Sequence, residues 1–208
     1  MQVLDIIFSI AILIMSVVIH EVSHGAVAYA MGDPTAKYAG RLTLNPINHL
    51  DPFGSILLPL MTFIIPTLLG GQGFIIGWAK PVPYNPYNLS NQRWGPALVG
   101  AAGPAANIIV ALLFSIVIRF FALGISQALV GILASIIFVN ILLAIFNLVP
   151  IPPLDGSKVL FALLPNPYRL QAMMEEYGLF LIIIFIFFVW PVIIPVVEFI
   201  FRLFVGAV

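Results

Sequence analysis

The chain has 208 residues, of which 8 are basic and 8 acidic, and 62% of it is apolar. Only 8% of the residues are charged, too few to coat a water-soluble globule, since soluble domains carry about 25%. We therefore expect an α-helical integral membrane protein. The zero net charge argues against nucleic-acid binding. Because the chain has no cysteine, any metal must bind to histidine and carboxylate side chains.

The first predicted element is an apolar helix over residues 3–31, which ends where Gly32-Asp33-Pro34 interrupts helical structure. It is long enough to cross the roughly 30 Å hydrocarbon core of a bilayer. In the next segment, 37–50, polar and apolar residues alternate, which predicts a short strand ending at Asn45-Pro46. A strand at membrane depth must be covered by protein or water, so we expect a small β-sheet at the membrane edge.

Segment 51–78 is apolar but contains many helix-breaking residues. Its prolines and glycines are Pro52, Gly54, Pro59, Pro66, Gly70, Gly71, Gly73 and Gly77. Such a segment suits a re-entrant hairpin better than a continuous transmembrane helix.

The remaining elements are a polar loop, two apolar helices, a proline-rich loop and a last apolar stretch. They cover residues 80–93, 96–121, 127–149, 151–166 and 177–204. Pro191 and Pro195 are expected to bend or split the last stretch. We predict a single membrane domain over residues 1–208, with about four to six transmembrane helices besides the hairpin and the sheet.

His20, Glu21 and His24 form an HExxH motif inside the first predicted helix. Positions i and i+4 share one face of a helix, so both imidazoles can reach one metal ion and the Glu can act on a water bound to it. The alternative is a set of interfacial residues at a helix end. A carboxylate well inside an apolar stretch is costly and usually functional, which favours a metal site.

A catalytic zinc ion needs a third protein ligand and an open position for water. The candidates are His49, Asp33, Asp51, Asp155, Glu175, Glu176 and Glu198. Asp155 stands out because prolines hold the preceding segment extended and Gly156 lets the backbone turn beside a ligand. A plain proline-rich turn with a capping Asp is the alternative. His49 and Asp51 either support the metal ligands or are ordinary loop residues.

Two motifs together carry a family resemblance. HExxH in the first helix and Asn147-Leu148-Val149-Pro150-Ile151-Pro152-Pro153-Leu154-Asp155-Gly156 after a later one resemble the site-2 protease family of intramembrane zinc metalloproteases. Specifically, they resemble its compact members without a PDZ domain. The segments 40–46, 77–83 and 103–107 extend the resemblance, which covers roughly residues 15–160.

The resemblance implies a set of site residues. His20, His24 and Asp155 are expected to bind one Zn²⁺, with Glu21 as the catalytic acid and base. Asn147 corresponds to the family's asparagine and is expected beside the site, and we predict substrate contact for Asn147 and Asn107. Hydrogen bonding between helices is the alternative for both asparagines.

A shared metal ion would also constrain the topology. The C-terminal ends of helices 3–31 and 127–149 must then lie on one side of the membrane, so one apolar segment between them must be a hairpin, for which 51–78 is the obvious choice. Most basic residues then lie on one side: Lys37, Arg41, Lys80, Arg93, Lys158 and Arg169, against Arg119 and Arg202. Cytoplasmic loops collect such residues, so we expect the site in the cytoplasmic half of the bilayer.

The predicted reaction is hydrolysis of peptide bonds in or near the transmembrane helices of single-pass membrane proteins, within the lipid bilayer. A helical substrate must unwind before attack, and the predicted strand near residues 38–44 could pair with it. One alternative is a non-proteolytic membrane zinc-binding or metal-transport protein, although a structural zinc site normally has four protein ligands. Another is a membrane metallopeptidase whose third ligand is Glu175, Glu176 or Glu198.

Overall fold

The computed structural model describes residues 3–58, 61–62, 65, 79–121 and 124–206. Its α-helices in these ranges are α1 Val3–Ala30, α2 Thr35–Tyr38, α3 Gly95–Phe121, α4 Gln127–Asn147, α5 Gly156–Leu163, α6 Tyr168–Glu176, α7 Gly178–Ile184 and α8 Trp190–Val205. Short 3-10 helices cover Pro46–His49 and Pro86–Asn88, and π-helical turns cover Pro52–Leu57 and Phe185–Val189.

Four stretches of the described chain are long and apolar enough to cross a membrane. They are Ile7–Ala30 within α1, all of α3, all of α4, and Gly178–Val205, which joins α7, a π-helical turn and α8. Helices suit this environment because they satisfy every backbone polar group internally. The chain is therefore a multi-pass membrane protein.

The predicted membrane-edge β-sheet is wrong, because the described residues contain no β-strand. The segment 37–50 forms the end of α2, a turn and the 3-10 helix Pro46–His49. Gly40 turns the chain with a φ of +65°, and the Asn45 side chain accepts a hydrogen bond from the Ile47 N–H at 3.1 Å. These local bonds replace strand pairing, so the idea of an edge near 38–44 that pairs with substrate falls with the sheet.

Buried Arg41 explains why this segment alternates without being a strand. Its guanidinium donates to the backbone carbonyls of Asn48, Lys80 and Pro81. The Arg41 side chain therefore points into the interior of the loop, where its hydrogen bonds connect two segments. A strand would have placed this polar residue on the solvent-exposed face of a sheet.

Most of the predicted re-entrant hairpin, 51–78, lies outside the described residues. The residues on either side of it are described, and the Lys80 N–H donates to the His49 carbonyl at 2.9 Å. The chain therefore returns at residue 80 to the place that it left at residue 49.

Two helices that carry site residues run in the same direction. Ser16 in α1 contacts Asn140 in α4, with 2.9 Å between the hydroxyl oxygen and the amide nitrogen. One turn further along α1, His20 contacts Asp155, which follows α4. The C-terminal ends of α1 and α4 therefore meet at one end of the bundle, as a shared metal site requires.

Helix α3 runs antiparallel to α1 and packs closely against it. Asn107 contacts His20, while Val99, earlier in α3, contacts His24, later in α1. Small residues let the two helix backbones approach each other. Gly103 of α3 is such a residue, because a Cβ atom there would meet the rings of His20 and His24 in α1.

The largest cluster of buried apolar residues in the described part of the chain lies between α3, α4 and α8, away from the site end. It consists of the buried residues Ala111, Ile118, Leu133, Ile137, Ile141, Val197 and Val205. Many large apolar side chains on the outer faces of these helices are exposed, such as Leu113, Phe120 and Phe199. Exposed apolar faces on spanning helices suit contact with lipid chains.

Candidate metal centre

Three buried side chains converge at the end of the bundle where α1 and α4 meet. The Nε2 atoms of His20 and His24 lie 3.0 and 3.1 Å from the same oxygen, Oδ2 of Asp155. The exposed fractions of the three residues are 5%, 6% and 8%. The HExxH spacing puts both imidazoles on one face of α1, and the chain reversal after α4 brings the carboxylate to them.

The donor set and its spacing fit zinc. Two imidazole nitrogens and one carboxylate oxygen are ligands that zinc commonly takes. In a tetrahedral zinc site with bonds of about 2.0–2.2 Å, ligand atoms lie about 3.3–3.6 Å apart. The observed separations of 3.0 and 3.1 Å need only a small outward movement to reach that range. Three donors also leave one coordination position open for water or substrate.

Asp155 is held by the first turn of α5. The proline-rich segment predicted as a loop contains this helix, which begins at Gly156 directly after Asp155. A Cβ atom at Gly156 would lie 2.1 Å from the Leu148 carbonyl oxygen, so only glycine lets the chain pass back over the end of α4.

Lys158 fixes the orientation of the Asp155 carboxylate. Its Nζ donates to Oδ1 of Asp155 at 2.9 Å, which leaves Oδ2 to the two imidazoles. Burial raises the pKa of Asp155, but the two adjacent imidazoles and the charge of Lys158 outweigh burial, so the pKa lies well below its usual range. The carboxyl is therefore ionised, as a metal ligand must be.

Gly103 makes room for the two imidazoles. A Cβ atom at this position would lie 2.6 Å from Nε2 of His20 and 2.6 Å from Nε2 of His24. The backbone of α3 therefore forms one wall of the site, and any side chain there would occupy the space next to the nitrogen atoms that face the metal position.

Glu21 lies beside the histidines with its carboxylate held by a backbone donor. One of its oxygens lies within 4.8 Å of ring nitrogens of both His20 and His24. Its Oε2 accepts the Val82 N–H at 2.8 Å. Val82 stands between two prolines, which have no N–H to donate.

The segment that carries Val82 is anchored at its far end by Asp33. This fully buried carboxylate accepts hydrogen bonds from the Asn85 N–H at 2.6 Å, from the Asn88 amide at 2.9 Å and from the Thr35 hydroxyl at 2.6 Å. Burial raises the pKa of Asp33, but these hydrogen bonds outweigh it and hold the pKa below its usual range.

The two predicted substrate asparagines lie in different places. Asn107 is fully buried, and its Oδ1 lies 2.5 Å from Nδ1 of His20. Asn147 is half-buried, and its amide donates to the Leu143 carbonyl of its own helix at 3.0 Å. Among the hydrogen bonds of the described residues, none joins Asn147 to His20, His24 or Asp155.

The other candidate third ligands lie elsewhere. His49 is buried and its Nε2 lies 2.8 Å from the Thr43 carbonyl oxygen. Asp51 caps the π-helical turn Pro52–Leu57. Asp33 anchors the segment described above. The last three candidates, Glu175, Glu176 and Glu198, are all exposed.

Several residues that support the site were missed in the sequence. Asn140, in the middle of an apolar helix, carried a signal, because polar residues inside membrane helices are usually functional. Lys158 carried a weaker signal, since residues three apart in a helix are neighbours. The Val82 N–H and the Val99 carbonyl are backbone groups, which no residue type reveals.

A family model matches most of the chain. The model described as "Peptidase family M50" matches residues 8–128 and 122–189. These two matches together include every residue of the candidate metal centre.

Curated relatives carry names of the same kind. The chain is 39% identical over 187 residues to "Putative zinc metalloprotease YwhC" of Bacillus subtilis, a match that covers 86% of this chain and 78% of the relative. It is 30% identical over 172 residues to "Putative zinc metalloprotease Rip2" of Mycolicibacterium smegmatis, covering 82% and 63%. For the Rip2 of Mycobacterium tuberculosis H37Rv the identity is 31% over 175 residues, covering 83% and 64%.

The chain thus spans less than two thirds of the mycobacterial relatives and about four fifths of the Bacillus relative. No solved structure matches the chain. Nothing in these similarities favours a metal transporter.

Proposed function

The chain belongs to peptidase family M50 and is an intramembrane zinc metalloprotease, and from this premise we propose which residues bind the zinc, which residue moves the proton and what kind of substrate is cut. His20, His24 and Asp155 bind the zinc ion. The observation that carries this assignment is the approach of one carboxylate oxygen to both Nε2 atoms, at 3.0 and 3.1 Å.

Glu21 is the catalytic acid and base. Zinc, when bound, lowers the pKa of a water in its open position and polarises the scissile carbonyl. Glu21 takes the proton from the attacking water and delivers it to the leaving amide nitrogen. Because Oε2 already accepts the Val82 N–H, Oε1 is the oxygen that carries the proton.

The substrates are single-pass membrane proteins, cut in or near their transmembrane helices. The two histidines belong to a candidate membrane-spanning helix, Ile7–Ala30, and face the interior of the bundle. A soluble peptide does not reach such a site readily, whereas a helix that enters from the bilayer and unwinds does. The site is built by four helices: α1 carries the histidines and Glu21, α3 forms one wall, and Asp155 lies between α4 and α5.

The site lies toward the cytoplasmic side. Arg41, Lys80, Arg93 and Lys158 belong to segments at the site end of the bundle, where Arg41 donates to the Lys80 carbonyl and Arg93 to the Ala162 carbonyl. Arg119 donates to the Leu203 and Phe204 carbonyls at the other end. This excess of basic residues at the site end supports a cytoplasmic location.

The experiment is a cleavage assay in proteoliposomes with a model single-pass protein. Wild-type protein should cut within the transmembrane helix or at its edge, as located by mass spectrometry, and Glu21→Gln should lose about 100-fold or more of the rate while keeping its zinc. A soluble unfolded protein serves as the control substrate. Equal rates for Glu21→Gln, or cutting confined to soluble segments, would overturn the proposal.

A further inference from the structure

A continuous line of buried polar side chains leads away from His20 across three helices. It runs from His20 in α1 to Asn107 in α3, then to Asn140 in α4, and back to Ser16 in α1. Both asparagines are fully buried, and Ser16 is 3% exposed. Polar groups buried at this depth are costly unless each one is hydrogen-bonded, and here each one is.

The orientation of the Asn140 amide is fixed by a backbone carbonyl. One terminal atom of this amide lies 2.9 Å from the Ile136 carbonyl oxygen and 2.9 Å from the Ser16 hydroxyl. A carbonyl can only accept a hydrogen bond, so this atom must be the nitrogen. The Asn140 oxygen therefore faces Asn107 and accepts its amide N–H at 2.7 Å.

The same reasoning fixes the orientation of the Asn107 amide. Its nitrogen donates to Asn140 Oδ1 and also faces the Ser16 carbonyl oxygen at 3.3 Å. Its oxygen is then the atom that lies 2.5 Å from Nδ1 of His20. Since an amide oxygen can only accept, Nδ1 of His20 must carry the proton, and Nε2 is left with a lone pair toward the metal position.

We propose that Asn107 and Asn140 are positioning residues that set the tautomer and the ring orientation of His20. Asn107 holds the Nδ1 proton of His20, and Asn140, braced by Ser16 and Ile136, holds Asn107 in the orientation that can do so. This inference rests on the proposed zinc site and replaces the predicted substrate contact of Asn107. It connects α4, which supplies no metal ligand within the helix, to the first ligand in α1.

His24 provides a natural comparison inside the same site. Its Nδ1 lies 2.6 Å from the Val99 carbonyl oxygen, so its tautomer is set by a backbone atom that no side-chain substitution removes. Substitutions in the polar line should therefore alter His20 and leave His24 unchanged. A general loss of packing would disturb both rings, because they belong to one helix and lie with centroids 4.6 Å apart.

The first test is nuclear magnetic resonance of the full-length, zinc-loaded protein in detergent micelles with ¹⁵N-labelled histidine. The chain has 3 histidines, so the ring signals can be assigned by substitution. In the wild type, His20 and His24 should each show a hydrogen-bonded Nδ1–H proton. Asn107→Leu should remove or strongly shift the His20 proton signal, and Asn140→Leu should shift it, while the His24 signal stays in place.

The second test is zinc affinity, measured by competition with a chelator. Asn107→Leu should weaken zinc binding by about 10-fold to 100-fold, as loss of a group that orients a metal-binding histidine typically does. Asn140→Leu should weaken it less. The double variant should resemble Asn107→Leu alone, because Asn140 acts through Asn107.

Ser115→Ala is the matched control. Ser115 is a buried polar residue of α3 that donates to the Phe204 carbonyl, away from the polar line. It should change neither the His20 signal nor the zinc affinity. If Asn107→Leu does not fold, Asn140→Leu alone decides the question, since it leaves the hydrogen-bonding partner of His20 in place.

Two failures can be told apart. A wild-type protein that binds no zinc would overturn the proposed function. A wild type that binds zinc through His20, with the signal and the affinity unchanged in both asparagine variants, would overturn this inference and leave the proposed function standing.

Discussion

At the scale of single residues, the two oxygens of Glu21 have different partners. Oε2 accepts the Val82 N–H at 2.8 Å, and the carboxylate lies next to the two imidazoles. A hydrogen bond to a charged group contributes roughly 1.5–3 kcal/mol. The bond therefore has enough strength to hold the carboxylate in one orientation, with Oε1 left for proton transfer.

Val82→Pro tests this contact because proline has no N–H to donate, and Val82→Ala controls for the loss of the buried valine side chain. The neighbours of residue 82 are already prolines, and a residue before proline favours the extended conformation that proline can also adopt. We expect kcat to fall by about 10-fold or more, in line with the loss of a hydrogen bond to a charged group, while zinc content stays the same. Val82→Ala, which keeps the N–H, should retain activity. Full activity of Val82→Pro would show that the contact is dispensable.

Residue types explain which parts of the site could be predicted from the sequence. Asp155 was a candidate because its motif resembles that of the site-2 protease family, and the proximity of His20, Glu21 and His24 was predictable because their spacing follows helix geometry. The contact of Asn107 with His20 was not, because a buried asparagine between helices can serve several partners equally well. The Val82 and Val99 contacts are made by backbone atoms, whose positions depend on the tertiary fold alone.

At the scale of elements, the close packing of α3 against α1 depends on Gly103. The Gly103→Ala substitution would place a methyl group 2.6 Å from both Nε2 atoms, closer than carbon and nitrogen can approach. We expect loss of zinc binding and of proteolysis, with the helices still formed. The measurements are zinc content and circular dichroism.

Gly131→Ala is the control for this substitution. Gly131 lies in α4 with open space around the position of a Cβ atom, so alanine there should preserve zinc binding. Alanine also favours a helix over glycine by about 1 kcal/mol. Normal zinc binding by Gly103→Ala would contradict the close approach of α3 to the histidines.

Asp33 joins the end of α1 to the segment 85–88 through hydrogen bonds, and the stability that it contributes should depend on pH. The pKa of Asp33 is lower in the folded protein than in the unfolded chain, where it is about 3.9. The stability that the ionised carboxylate provides is therefore present above this value, and it is lost as the pH falls through the lower, folded-state pKa.

We expect Asp33→Asn to lower the free energy of unfolding in detergent by about 1.5–3 kcal/mol at pH 7, because an amide nitrogen would face the Asn85 N–H. The difference from the wild type should shrink as the pH falls below about 4. Glu176→Gln, on an exposed residue, should show no such difference. A gap between Asp33→Asn and the wild type that does not change with pH would contradict the role of the charge.

The helices and the missing sheet show what sequence patterns can predict at this scale. Long apolar runs predict helices because a bilayer leaves the backbone few other ways to satisfy its polar groups. The alternation of polar and apolar residues in 37–50 did not correspond to a strand, because Gly40 and Asn45 turn the chain. Arg41 donates its hydrogen bonds to carbonyls of loop segments instead. Short alternating segments depend on tertiary partners, which the local sequence does not contain.

At the scale of the whole molecule, the direction of the helices decides the topology. Helices α1 and α4 end at the site, α3 starts there, and residues 49 and 80 are hydrogen-bonded neighbours. Residues 49 and 80 therefore lie on the same side of the membrane.

Cysteine labelling tests this topology, since the natural chain has no cysteine. Single substitutions Lys37→Cys and Lys80→Cys should react with a membrane-impermeant reagent from the same side, the cytoplasmic one. Arg202→Cys should react from the opposite side. Labelling of positions 37 and 80 from opposite sides would exclude a shared site end.

The central claim is that two helix ends, far apart in the sequence, form one zinc site. Elemental analysis of the detergent-purified protein, wild type beside Asp155→Ala, tests it most directly. We predict about one zinc ion per wild-type chain and a sharp loss in the variant, because a catalytic site with three protein ligands cannot spare one. No zinc in the wild type, or zinc unchanged by Asp155→Ala, would contradict the claim.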